Sequence, residues 1–218
     1  MHLPDPSNSI VLPLNAGYTG RPFTNAMNPA VRVVGFTNAH PTTRLVTIAI
    51  GANDVLLLQQ ECGTTPDCFH DRLPGQLATI ADNVQTILSA LRATGFLGVL
   101  MVVTYYSLDY TDQAATAVTA QLNQAITAHA PANGAVVADV FEAFKAAAST
   151  TSAGGKTCNA GLLNVDPHDQ STCDAHPSQS GHKLIAQTIE SAYSAAINPS
   201  TATRPKRTAH GPLEPGER

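Results

Sequence analysis

A histidine with a nearby aspartate lies in residues 173–186, CDAHPSQSGHKLIA. His176 is followed by a proline and precedes an apolar periodic stretch, so we predict that it occupies a loop just before the last helix. Asp174 stands two residues earlier. A carboxylate that holds an imidazole fixes its tautomer and stabilises the imidazolium, as a general base requires. A surface histidine beside a helix cap is the alternative for this segment taken alone.

A second polar pair follows an apolar run in residues 45–54, LVTIAIGAND. The run predicts a strand buried on both faces, as in a parallel sheet covered by helices, and Gly51 would end it. Asn53 and Asp54 then stand at the carboxyl end of the strand, where ligands bind in open α/β sheets. The alternative is that Asn53 and Asp54 only form a polar turn after the strand and take no part in catalysis.

Together the two blocks resemble those of the SGNH/GDSL hydrolase family of esterases and lipases. Residues 51–54 resemble the family's Gly-x-Asn-Asp block, and residues 174–177 resemble its closing Asp/His block. The resemblance implies that the Asn53 side chain donates to an oxyanion, that His176 is the general base and that Asp174 is its partner. It also implies a small-molecule or lipid ester as the substrate, and no cofactor.

The family's nucleophile needs a block that this sequence lacks. Residues 15–20, NAGYTG, resemble the second block of the family, so the resemblance gives the backbone N–H of Gly20 to the oxyanion hole. The catalytic serine belongs to a preceding Gly-Asp-Ser block, and none occurs in the 218 residues. The sequence before Ser7 and Ser9 does not have the pattern of a strand that would present a serine at its end. We therefore expect a shortened product without its first strand and nucleophile, and with little or no activity.

Two questions stay open at this point. The family more often separates its aspartate and histidine by two residues, so Asp166 and Asp169 are reserve partners for His176. Whether the chain is an enzyme is also open. A non-catalytic remnant, or a carbohydrate- or lipid-binding module on the same scaffold, is the second hypothesis, and the missing serine favours it.

Charge and composition exclude several other classes of function. The formal net charge of −4 gives no basic surface for nucleic acid. No apolar run is long enough for a transmembrane segment, and we expect a monomer. A histidine and aspartate cluster fits no closed zinc pattern, so we expect no metal site there. Its members are His168, Asp169, Asp174, His176 and His182.

Four cysteines pair naturally as two local loops, Cys62 with Cys68 and Cys158 with Cys173. We expect both pairs to form disulfides, which suit an oxidising compartment. The first residues lack the basic start and the long apolar region that are typical of a signal peptide, so none is expected in them. We therefore expect secretion, or a place in the cell envelope, for a full-length parent.

Hydrophobic periodicity predicts the elements that must position these residues. Helices are predicted for residues 73–95, 111–130, 141–148 and 179–196, strands for 98–106 and 134–140, and loops for 58–71 and 149–172. Strands alternating with amphipathic helices indicate a three-layer α/β/α fold with a doubly wound, mostly parallel sheet. By resemblance this sheet is flavodoxin-like.

The same pattern divides the chain into three parts. Residues 1–14 are expected to be a loose segment, 15–198 the hydrolase-like domain and 199–218 a disordered tail. Within the domain, Asn53 and His176 are expected to approach one cavity at the carboxyl edge of the sheet, with Tyr105 and Tyr106 at a strand end nearby.

Overall fold

The computed structural model describes residues 42–150, 152–169 and 171–199. Its elements are β1 (Leu45–Ile48), α1 (Ala52–Cys62), α2 (Pro66–Ala93), β2 (Val99–Val103), α3 (Gln113–Thr127), a 3₁₀ turn (Pro131–Asn133), β3 (Ala135–Ala138), α4 (Val140–Ala148), β4 (Leu163–Val165), β5 (Cys173–Pro177) and α5 (Gln179–Ile197). Gly20, Ser7, Ser9 and the two terminal segments predicted above lie outside the described residues, except for Pro199.

Three parallel strands in the order β1-β2-β3 form the central sheet. Leu45 pairs with Val99, and Leu100 pairs with Ala135. Each connection between these strands contains helix, as parallel pairing requires, because the chain must return to the same edge before the next strand begins. The parallel sheet predicted from the sequence is confirmed.

Helices cover both faces of this sheet and give the three layers that were predicted. On one face, α1, α2 and α3 bury an aliphatic core that includes Leu88, Leu100 and Ile126. On the other face, α4 and α5 pack over β2 and β3 around Met101 and Phe144. Alternate residues of β2 supply the two cores, because successive side chains in a strand point to opposite faces.

Strand β1 is shorter and less buried than the sequence of residues 45–54 suggested. β1 ends at Ile48, and Thr47 is exposed. Val46 and Ile48 face the core beneath α2, whereas Thr47 faces the opposite side. On that side Leu45 packs against the core around Met101 and Phe144, but α5 lies over β2 and β3. Among the described residues this face of β1 is therefore only partly covered, and the expectation of full burial on both faces was wrong.

The segment predicted as a loop at residues 58–71 is mostly helical. Helix α1 runs on to Cys62 and α2 begins at Pro66, so the break between them is short. Leu58 and Cys62 are buried on α1, and Phe69 packs against the same core from α2. Gly, Thr and Pro in this stretch suggested a loop, but burial of these helical positions outweighed local preference. The Cys62–Cys68 disulfide joins the two helices.

The second predicted loop, at residues 149–172, contains β4. This strand pairs antiparallel with β5, so that Leu163 stands opposite Pro177 and Val165 opposite Cys173. The predicted Cys158–Cys173 disulfide is confirmed and fastens the start of β5. His176 therefore lies within a strand, and the prediction that it occupies a loop before the last helix was wrong.

The remaining helices agree with the sequence patterns. Helices α3, α4 and α5 match the segments predicted at 111–130, 141–148 and 179–196, and α2 extends seven residues before the start predicted at residue 73. None of the helices within the described residues combines the length and apolar character needed to cross a membrane.

Candidate active site

Gly51 makes the turn that carries the chain from β1 into α1. Its φ of 107° lies in the region that favours glycine, and a Cβ there would stand 2.9 Å from Cγ2 of Ile80 and 3.1 Å from Cδ1 of Leu122. Glycine is therefore needed both for the backbone angle and for the close approach of α2 and α3. As a result, Asn53 and Asp54 lie in the first turn of α1, not in a turn after the strand.

Asn53 is the second residue of α1 and is exposed. The helix starts at the carboxyl end of β1 without a side-chain cap. Backbone N–H groups in the first turn of a helix lack intrahelical partners and favour negative charge. An amide side chain beside such groups is chemically suited to hold a developing oxyanion.

Tyr105 packs against the start of α1. Burial raises the pKa of Tyr105 to about 12, the backbone N–H of Ala52 acts in the opposite direction, and the charge of Asp54 raises the pKa further. Burial also raises the pKa of Asp54. Asn123 fixes Tyr105 from behind, because its amide accepts from the Tyr105 N–H and donates to the Tyr105 carbonyl, each at 2.7 Å.

Asp174 and His176 lie on one face of β5, as residues two apart in a strand must. Oδ1 of Asp174 accepts the backbone N–H of His176 at 2.7 Å and lies 3.5 Å from Nδ1 of the ring. The ring is 81% exposed and the carboxylate 42%. The predicted partnership has a geometric basis even with the shorter spacing, because extended backbone brings the two side chains together.

The two reserve partners make local contacts instead. Asp166 accepts the backbone N–H of His168, and Asp169 accepts both the N–H and the hydroxyl of Ser171. Those bonds lower the pKa of Asp169. Within the part of the chain that the structure describes, His176 with Asp174 is the one pair of a histidine ring and a carboxylate at ion-pair distance.

The histidines and aspartates that cluster in the sequence between residues 168 and 182 do not come together as a metal site in the described residues. Among residues 42–150, 152–169 and 171–199, no three histidine, cysteine or acidic side chains are grouped so that they could hold a metal ion. His182 lies on α5 beyond the strand that carries Asp174 and His176.

Tyr106 connects the end of β2 to β5. Its hydroxyl donates to the carbonyl of Ala175 at 2.7 Å, and its ring stacks on Phe144 with centroids 4.3 Å apart. Burial and the charge of Asp174 both raise the pKa of Tyr106. Sequence reasoning placed this tyrosine at a strand end but found no specific contact for it, because its partner is 69 residues away in the chain.

The two tyrosines show how the motif blocks are related in space. Tyr105 touches the start of α1 while its neighbour Tyr106 touches β5. Both tyrosines follow the carboxyl end of β2, and α1 follows the carboxyl end of the parallel neighbour β1. The block of Asn53 and the block of His176 therefore lie at the same edge of the sheet. Gly20, the other predicted oxyanion donor, is outside the described residues.

A cavity of about 260 Å³ opens beside β3, between α3 and α4. Asn123, Asp139 and Glu142 are among its lining residues, and neither Asn53 nor His176 is. Asp139 is engaged at the start of α4, where it accepts the N–H of Glu142. Asn53 and His176, the residues predicted to take part in catalysis, therefore do not line this cavity.

Two solved structures are similar to this chain. The chain aligns over 78% of its length, with 18% identity and a TM-score of 0.52, with LAE5, an alpha/beta hydrolase enzyme from the metagenome of Lake Arreo, Spain. It aligns over 74%, with 16% identity and a TM-score of 0.46, with a variant of Axe2, an acetyl xylan esterase from Geobacillus stearothermophilus. It covers 69% and 66% of those two chains. No curated protein sequence matches the chain.

The sequence model of one protein family extends over most of the chain. It matches residues 8–184, which include the Asn53 block, both tyrosines and the pair of Asp174 with His176. A match of this extent supports a hydrolase. The chain belongs to the GDSL-like lipase/acylhydrolase family.

Proposed function

We propose that this protein is built to hydrolyse carboxylic esters by nucleophilic acyl transfer. The observation that carries the proposal is the contact of Asp174 with His176 at the carboxyl edge of the sheet, the edge at which Asn53 also lies. The family supports a hydrolase in general. An ester as the substrate, and the parts played by individual residues, are our inference.

In the proposed mechanism a serine hydroxyl attacks the acyl carbonyl. Nε2 of His176 takes the serine proton and later returns it to the leaving alcohol, while Asp174 at Nδ1 holds the ring in the required tautomer. The amide of Asn53 and the backbone N–H of Gly20 bind the oxyanion. Each such donor commonly contributes about 3 kcal/mol in the transition state. No cofactor takes part in this scheme.

The nucleophile decides how active the chain is. The sequence contains no Gly-Asp-Ser block, and Ser7 and Ser9 are the serines that precede Gly20. We therefore propose that the 218-residue chain turns over esters weakly or not at all. Water activated by His176 in a formed oxyanion hole could still leave a residual rate, since proteases stripped of triad members retain about 10³–10⁴-fold over water.

A binding protein is the second candidate, favoured by the same missing block. On this view the chain uses the family scaffold to hold a carbohydrate or a lipid without cleaving it. The exposed ring of His176 and the partly exposed carboxylate of Asp174 would then contribute hydrogen bonds to the ligand. Measurable turnover that depends on His176 supports the hydrolase, whereas saturable ligand binding without any turnover supports the binding module.

Secretion and a monomeric state belong to the proposal as well. Both described disulfides are compatible with an oxidising compartment. We propose a small-molecule ester or lipid as the partner. Size-exclusion chromatography with light scattering tests the monomer, and thiol titration of exported protein tests the compartment.

Hydrolysis of p-nitrophenyl acetate tests the central proposal. The purified chain is compared with His176→Ala, Ser7→Ala and Ser9→Ala variants, with His70→Ala as the control because His70 is an exposed histidine on α2. Turnover that is lost in His176→Ala and kept in His70→Ala supports the proposal.

The serine variants locate the nucleophile. Loss of turnover in Ser9→Ala or Ser7→Ala would identify it and would show that a Gly-Asp-Ser block is not required. Turnover unchanged in His176→Ala would contradict the proposed base. No turnover by the wild-type chain, together with saturable binding of an acylated sugar or a fatty acid, would support the binding protein instead.

A further inference from the structure

The strand that carries Asp174 and His176 is fastened to the rest of the molecule near both of its ends. At its start, Cys173 is bonded to Cys158. At its end, the hydroxyl of Ser178 donates to the carbonyl of Gly161 at 2.7 Å, and the Ser178 N–H donates to the carbonyl of Leu162 at 2.9 Å. These contacts all tie β5 to the segment that contains β4. They do not tie it to the central sheet.

Tyr106 supplies a side-chain connection between β5 and the end of a central strand. Its hydroxyl reaches the carbonyl of Ala175, which lies between Asp174 and His176 in the chain. In a strand, Ala175 directs its side chain away from the face shared by its two neighbours. A bond to the Ala175 carbonyl therefore acts on the backbone that joins Asp174 to His176, not on either side chain.

The tyrosine is itself held rigidly. Its ring stacks nearly parallel on Phe144, with 11° between the planes, and Phe144 is fully buried in the core under α4. The preceding residue, Tyr105, is fixed through both of its backbone polar groups by Asn123. Because these contacts hold Tyr106, its hydroxyl has a fixed position relative to the central sheet.

We propose that Tyr106 is a positioning residue of the site, which sets the place and orientation of the Asp174–His176 pair relative to Asn53 through its bond to Ala175. This proposal rests on the proposed function. The need for it follows from the exposure of the pair: the histidine ring is 81% exposed, so little packing around the ring fixes it. The 3.5 Å separation of Nδ1 from the carboxylate then depends on the backbone of β5.

The test replaces Tyr106 by Phe, which keeps the ring on Phe144 and removes only the donor to Ala175. The matched control is Tyr110→Phe. The Tyr110 hydroxyl donates to the carbonyl of Phe141 at 2.8 Å and accepts the N–H of Ser107 at 3.3 Å. This change therefore also removes a tyrosine bond to a backbone carbonyl, but one that leads to α4, and it should cost at least as much stability as Tyr106→Phe.

The deciding readout is the ¹⁵N spectrum of the His176 ring, assigned with a His176→Gln variant. It is recorded in mildly alkaline buffer, where histidine side chains are normally neutral. In the wild type the carboxylate favours the tautomer with the proton on Nδ1. Asp174→Asn supplies the reference spectrum for a ring without its carboxylate partner.

We expect Tyr106→Phe to move the ring signals towards those of Asp174→Asn, and Tyr110→Phe to leave them in place. Unchanged ring signals in Tyr106→Phe, or equal movement in both variants, would overturn the proposal. This readout needs no turnover, so it is independent of whether the chain hydrolyses esters. If the wild type is active, Tyr106→Phe should also lower kcat by about tenfold with little change in KM, as expected for loss of alignment.

Discussion

At the scale of single residues, Gly51 is the position at which local geometry most directly controls the site. We predict that Gly51→Ala destabilises the fold by about 2–4 kcal/mol, because a Cβ combines an unfavourable φ with overpacking against Ile80 and Leu122. Urea unfolding followed by circular dichroism measures the loss. Since Asn53 lies in the turn that follows, the change should also disturb the environment of its side-chain amide.

Gly63→Ala is the matched control for that prediction. Gly63 also has a positive φ, 55°, but no atom lies within 4 Å of the position its Cβ would take. It should therefore lose only the conformational part, about 1–2 kcal/mol. Equal losses in the two variants would show that packing around Gly51 contributes nothing.

The pair of Asp174 with His176 shows what residue types alone could predict. An aspartate near a histidine suggested a base and its partner, and those roles stay a prediction. The geometry of the pair could not be predicted, because the proline after His176 suggested a loop. The spacing of two residues brings Oδ1 of Asp174 to 3.5 Å from Nδ1 of His176 because the segment is a strand.

At the scale of elements, antiparallel pairing and a disulfide hold β5 against the segment that contains β4. We predict that replacing both Cys158 and Cys173 by serine lowers the free energy of unfolding by about 3 kcal/mol, since that disulfide closes a loop with a sequence separation of 15. Amide hydrogen exchange should accelerate in β5 and change much less in β2. Urea unfolding and exchange mass spectrometry provide the two measurements.

The corresponding double variant at Cys62 and Cys68 is the control. That disulfide has a sequence separation of 6 and joins α1 to α2, so its removal should cost about 2 kcal/mol and leave exchange in β5 unchanged. Faster exchange in β5 in this control would mean that the effect is global unfolding and not release of one strand.

The elements that the sequence misplaced share a physical cause. Short apolar or turn-forming runs are ambiguous, and contacts distant in the chain decide them. Residues 58–62 and 66–71 became helical because Leu58 and Phe69 are packed into the core of α2 and α3. Long helices such as α3 and α5 were predicted correctly, because their hydrophobic periodicity specifies both that they are helical and which face is buried.

At the scale of the whole molecule, the alternation of strands and helices was sufficient to predict a doubly wound parallel sheet. Alternation implies crossover connections, and these place helices on both faces. It could not predict which side chains meet at the carboxyl edge. Tyr105 and Tyr106 join α1 to β5 across the end of β2, a relation that depends on the packing of Phe144 and Asn123 and leaves no local signal in the sequence.

The partly buried tyrosines at this edge should make the whole fold sensitive to alkali. Burial raises the pKa values of Tyr105, Tyr106 and Tyr110, and that of Tyr105 rises from 10.0 to about 12. A pKa that is higher in the folded state gives a stability that is complete below pH 10 and is lost as pH rises towards the folded value. Tyr105 alone accounts for at most about 3 kcal/mol of this loss.

Urea unfolding measured at intervals between about pH 9 and pH 12 should therefore show a falling free energy of unfolding, beginning near the pKa of a free tyrosine. Tyr105→Phe should show a shallower decline, because one of the titrating groups is removed. A spectrophotometric titration of the native protein should show fewer phenolates near pH 10 than one in denaturant. An identical decline in wild type and Tyr105→Phe would mean that the start of α1 does not shield this hydroxyl, and that the edge where Asn53 lies is more open to water than the structure indicates.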